Sequence, residues 1–168
     1  MPPELREADV AVTFALLTLD GWRWLIPQGE IHSLEPVFDI TEYSEAEVDD
    51  NALVTSDPVG IIRLAGEPWP IYCLAGDFSS LSTIPETRRM CILLRSEQRR
   101  WGLVCDQIEV LDGEQPRLQP VPACMATPNS PLHGLISYDD YLAYATSAVH
   151  LTTYLQRGSQ SHSERSHG

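Results

Sequence analysis

Between the runs VAVTFALLTL (residues 10–19) and WRWLIP (residues 22–27) stands the dipeptide Asp20-Gly21. Both runs are rich in β-branched and aromatic residues, and Asp-Gly accepts the positive φ angles of a tight turn, so the segment predicts a β-hairpin. The same grammar recurs. VGIIRLAGEPWPIYCL is two apolar runs hinged at Gly66-Glu67, where Gly66 supplies the turn's backbone freedom. MCILLR and WGLVCDQIEVL flank the turn SEQRR and are apolar enough for a central hairpin. LHGLIS and YLAYAT flank YDD, and a closing helix is expected from about Ala148 to Leu155. Successive hairpins with few helices must dispose of their strand edges, and closure does so. The fold expected is mainly β: two small five-stranded antiparallel barrels of SH3-like or OB-like kind, sharing a core, with a short C-terminal helix.

Other segments interrupt this pattern. Residues 1–8 carry two prolines and three charged residues and read as a flexible lead-in, and residues 157–168, rich in Ser, His and Gly, read as a disordered tail; the domain spans 9–156. Ile31, Leu34, Val37 and Phe38 recur at helical spacing and predict a short helix or irregular turn. The stretch 41–57 holds six acidic residues and no basic one, the composition of a solvated loop. Pro68 and Pro70 place their strand at a sheet edge, or turn their nitrogens away from the partner strand. An open edge such as 68–74 could pair two copies of the chain. Trp24 and Trp101 are expected in the core and Trp69, between its two prolines, at the surface.

Composition excludes several classes of function. Asp and Glu number 24 against 11 Lys and Arg, a formal charge of −13, which repels a nucleic-acid backbone. No run approaches the ~20 apolar residues of a membrane span, so no membrane insertion is expected and the protein is read as cytoplasmic. Cys73, Cys91, Cys105 and Cys124 form no CxxC pair, and they read as reduced, inert thiols in place of a metal site. No Gly-rich phosphate loop, HExxH or GxSxG occurs, so neither cofactor nor catalytic set is expected. His133 as a base for Cys124 or Cys105, and Asp139-Asp140 as a carboxylate pair, are weaker readings than a structural histidine and a turn. The arginines 88, 89, 95, 99 and 100 either steer an acidic partner or pair with the acidic loop.

GIIRLAGEPWPIYCL resembles the CheW-like domain's pattern of Gly-Val, Asn-Leu-Arg-Gly and an apolar-Pro-apolar strand. WGLVCDQIEVL resembles that family's later strand pair, with Asp106 on its aspartate. FALLTLDGWRWLIPQGEIHSL is similar to the opening hairpin, and HGLISYDDYLAYATSAVHL to the closing hairpin and helix, so the resemblance spans about residues 9–156. It implies a non-catalytic adaptor joining a CheA-type histidine kinase to chemoreceptors or related sensory proteins. Carried over, Leu64, Gly66, Pro70 and Ile71 lie near the kinase, and Ile31, Leu34, Gly102 and Val104 line a receptor groove between barrels. The chain departs from the pattern at Arg63-Leu64-Ala65-Gly66, where Arg63 replaces the usual arginine only if a two-residue offset keeps its face. Ser33, Cys73 and the 41–57 insertion are further departures. They point to a divergent adaptor, for a pilus-linked or other signalling complex as readily as for flagellar chemotaxis. The competing reading is a barrel that binds a ligand or peptide outside any kinase pathway.

Overall fold

The computed structural model describes residues 13–44, 46, 52, 58–96, 99–111, 117–124, 130–138 and 141–156. The expected lead-in, most of the acidic stretch, Asp139-Asp140 and the tail lie outside them. Strands β1 (Phe14–Leu19) and β2 (Trp22–Pro27) are joined by Asp20 and Gly21 at φ 52° and 84°, the paired left-handed residues of a hairpin turn. The next hairpin, β4 (Gly60–Leu64) with β5 (Glu67–Cys73), repeats this at Ala65 and Gly66, φ 51° and 81°. The turn thus starts one residue before Gly66-Glu67.

Between them, Ile31–Pro36 is a strand, β3, bracketed by single 3-10 turns at Gln28–Glu30 and Val37–Asp39. The helical spacing there is overridden by long-range pairing with β6 (Met90–Ser96), with an irregularity in register between Ile31 and Ser33. β6 pairs with β7 (Arg99–Cys105). WGLVCDQIEVL is not one strand: it breaks at Asp106, and β8 (Gln107–Leu111) crosses to the other sheet to pair with β1. The short β9 (Leu118–Gln119), β10 (Gly134–Tyr138), β11 (Tyr141–Ala145) and helix α1 (148–156) complete the order.

One sheet runs β8-β1-β2-β11-β10-β9 and the other β3-β6-β7-β5-β4. Two pairings, β2 with β11 and β5 with β7, are parallel, a departure from the all-antiparallel expectation that arises where distant segments meet across long connections. The second sheet closes on itself through Thr41, which follows β3 and exchanges backbone hydrogen bonds with Ile61 of β4 at 2.8 and 2.9 Å. Gly60 makes that seam possible, because a Cβ there would lie 2.6 Å from the Thr41 carbonyl oxygen and 2.3 Å from Ile40 Cγ2. Gly60→Ala is expected to cost about 1–3 kcal/mol in urea denaturation, by forcing backbone apart where no side chain can rotate clear.

Strand alternation sorts the apolar residues into three clusters. Leu16, Leu25, Leu111, Ile136, Ala143 and Ala145 fill the first sheet's interior, and Ile62, Trp69, Ile71, Cys73, Cys91, Leu93 and Val104 fill the second. Ala15, Leu17, Leu19, Trp24 and Ile26 from β1 and β2 meet Ile92, Leu94, Trp101, Leu103 and Cys105 from β6 and β7 in a third core between the sheets, closed by Ala148, Leu151 and Leu155 of α1. β6 and β7 read as continuous apolar runs because both their faces are covered. The two sheets therefore share a core, as expected, but the first has six strands in place of five and forms a half-barrel, because β8 crosses over to extend it beside β1. Trp24 and Trp101 belong to it.

Candidate functional site

The hairpin turn between β4 and β5 puts Arg63 and Gly66 in solvent and leaves Leu64 half-buried. Its lower half is closed off. Trp69, expected at the surface, is 1% exposed inside the second barrel, and Pro70 and Ile71 are buried with it. Of the two readings of its flanking prolines, the sheet edge fails and the turned-away nitrogens hold. In a ladder closed by a two-residue turn, Leu64–Glu67 exchanges hydrogen bonds and alternate pairs do not, so Pro68 and Pro70, opposite Arg63 and Ile61, turn their nitrogens away from β4. β7 meets β5 only at Ile71–Cys73, so no ladder bond is lost on that flank. β5 is consequently an interior strand, and the pairing of two copies along 68–74 is not available.

The rim above Trp69 is cationic. His32 stacks on the indole at 5.0 Å, and the guanidinium groups of Arg95 and Arg100 stand 5.3 and 6.0 Å from its centroid. Glu67 pairs with both, at 3.1 and 3.6 Å. Arg63 and Arg99 are exposed at the same hairpin ends. The offset argument for Arg63 fails, because Ala65 is a left-handed turn residue and strand alternation does not reach it.

The expected groove is divided. Gly102 and Val104 lie inside the second barrel, where a Cβ on Gly102 would stand 2.4 Å from Ile71 Cδ1. Ile31 packs against the shared core, while Leu34 is 47% exposed. Near it, Phe38 is 91% exposed, an unusual position for a large apolar side chain. The helical spacing had placed Phe38 in a short helix or irregular turn, and it stands in a 3-10 turn. Leu34 and Phe38 thus form an outward apolar ridge along β3 and the turn after it.

Asp106 has a role that no spacing reveals. At the corner where the chain passes from one barrel to the other, its amide donates to Thr18 O at 2.9 Å and its carboxylate accepts from the Asp20 amide at 2.7 Å and the Thr87 hydroxyl at 3.0 Å. Arg88, with its side chain fully buried, reaches Asp106 at 3.2 Å, Asp20 at 3.1 Å and the Val104 carbonyl oxygen at 3.0 Å. Asp20 in turn accepts from the Gly76 amide at 3.1 Å. This clasp locks the opening hairpin to the barrel junction. It separates Arg88 from the exposed arginines with which the sequence groups it.

Cys73, Cys91 and Cys105 are buried free thiols and Cys124 is exposed. Burial pushes the Cys91 thiol far up and Cys105 up to about 12, so thiol titration of the native protein should register Cys124 fast and the other three only on unfolding. A second fast thiol would contradict this packing. His133 rests on His150 at 4.7 Å, and burial with that neighbour lowers its pKa, which favours a structural role. Among the described residues no three His, Cys, Asp or Glu are grouped to hold a metal ion, and no helix is long and apolar enough to cross a membrane.

No protein-family model matches this chain, and no curated protein is similar to it in sequence. Among solved structures, the scaffolding protein TtCheW of Thermoanaerobacter tengcongensis superposes with a TM-score of 0.62 at 17% identity, covering 82% of this chain and 89% of that one. The likeness is one of fold: two packed β-sheets, six- and five-stranded, in a CheW-like arrangement.

Proposed function

We propose that this chain is a non-catalytic adaptor that couples a CheA-type histidine kinase to chemoreceptors or to a related sensory complex, including a pilus-linked one. The observation that carries the reading is the fold likeness to a scaffolding protein over most of both chains. Fold alone does not dictate function, and the surface adds support. Leu34 and Phe38 offer apolar area to a partner, and the turn at Ala65-Gly66 presents Leu64 within an arginine-bearing rim. The receptor-side contact is assigned to the β3 ridge and the kinase-side contact to the β4–β5 turn.

Capture experiments from the native cytoplasm, read by mass spectrometry, test the first assignment. The double variant Leu34→Asp/Phe38→Ser should lose a sensory partner at least tenfold while keeping its fold by circular dichroism, because Phe38 is almost wholly in water and Leu34 about half so. Undiminished recovery of that partner would remove the ridge from the account.

A further inference from the structure

A cleft of about 390 Å³ opens between β2, the turn after β5, the segment before β10, β11 and α1. Five of its ten lining residues are aromatic: Trp22, Trp24, Phe78, Tyr144 and Tyr154. Their rings form a continuous chain, Trp22 to Tyr144 at 5.5 Å, Tyr144 to Trp24 at 4.9 Å, Trp24 to Phe78 at 3.7 Å and Phe78 to Tyr154 at 5.8 Å. The one carboxylate in the lining is that of Asp77, which is exposed.

The construction of this cleft is costly. Phe78 sits at φ 68°, a left-handed conformation that a bulky residue rarely adopts, held by its amide bond to Ala75 O at 2.9 Å and by the Ala75 amide bond to Ser79 O at 2.8 Å. Gly76 is required beneath Trp22, because a Cβ there would lie 2.2 Å from Trp22 Cδ1 and 2.8 Å from the Leu19 carbonyl oxygen. The Tyr154 hydroxyl donates to Phe78 O at 2.9 Å, which fixes that ring. The Asp77 carboxylate accepts from the Ser79 hydroxyl at 2.7 Å and the Ser79 amide at 3.0 Å, and these bonds keep it ionised to lower pH than usual. Burial, and after it the Asp77 charge, raises the pKa of the Tyr154 hydroxyl.

Aromatic faces attract a cation through their quadrupoles, and weakly hydrated organic cations gain most because they lose little on leaving water. A carboxylate at the mouth and a chain charge of −13 favour the same sign. The volume lies within the range of small-molecule sites. We propose that this cleft binds a small organic ammonium cation, seated on Trp22, Tyr144 and Phe78 with its charge toward Asp77. The proposal is independent of the adaptor reading.

Choline and its uncharged isostere 3,3-dimethylbutan-1-ol are the probes, titrated into the full ¹⁵N-labelled chain at low salt while the indole N–H resonances of Trp22 and Trp24 are followed. Choline should shift both with millimolar affinity, and the isostere should bind at least fivefold more weakly. Asp77→Asn should weaken choline about threefold or more, and Trp22→Leu, at a half-exposed position, should abolish the response of the remaining Trp24 resonance while circular dichroism shows the fold retained. Equal affinity for the two probes, or no shift up to 100 mM choline, would overturn the proposal on the wild-type chain alone.

Discussion

Arg88→Leu is expected to lower unfolding free energy by about 3–5 kcal/mol, because it leaves two carboxylates and a buried carbonyl facing one another with the cation gone. Arg88 makes its contacts with no exposed side-chain surface, and Asp106 is only 15% exposed, so water cannot take over the arginine's part. Asp20, at 41% exposure, can relax toward solvent, which sets the lower end of the range. For a domain whose total stability is of the order of 5–15 kcal/mol, this is a large fraction. It corresponds to a fall in melting temperature of roughly 10 °C or more. Arg95→Met supplies the contrast. Arg95 and Glu67 are 46% and 47% exposed, so losing their 3.1 Å pair should cost under about 1 kcal/mol. Urea denaturation of both variants decides it, and equal costs would refute the clasp.

Trp101→Ala should cost about 3–5 kcal/mol as well, by a different route. Trp101 is wholly buried where β7 faces the shared core, edge-on to Tyr72 at 6.2 Å, and its indole N–H donates to Thr152 Oγ1 at 3.1 Å. That bond ties α1 to the second barrel, while the helix is held at its start by the Glu30 carboxylate, which accepts from the Ala148 amide at 2.6 Å. Truncation therefore opens a cavity and strands a hydroxyl in one step. Trp101→Phe, which keeps most of the volume, should retain about half or more of the lost stability. If Trp101→Ala and Trp101→Phe melt alike, the cavity is not the dominant cost.

The hairpins were readable because their information is local. Asp20-Gly21 needs no distant partner to form a tight turn, and β6 and β7 announce burial on both faces by their composition. β3 was not readable, since its strand character comes from β6, some sixty residues away, and its own spacing mimics a helix turn. Trp69 was misplaced because proline was taken as the mark of an edge, when alternation within the ladder accommodates it in an interior strand. Asp106 could be singled out by resemblance, but its partners Asp20 and Arg88 lie 86 and 18 residues away, and no periodicity connects them. Phe38 became visible only once β3 had been placed, and the aromatic cleft only once five separated segments had met.

The adaptor reading stands or falls on the kinase. The direct measurement is capture of the intact chain from a lysate of its native cells beside Leu64→Arg, which charges the β4–β5 turn at a half-buried position on the margin of the second core. The account expects a CheA-type histidine kinase with the unaltered chain and at least a tenfold loss with the variant, both proteins giving the same circular dichroism. Absence of any such kinase from the wild-type capture, even at low salt where charged contacts are strongest, would contradict it.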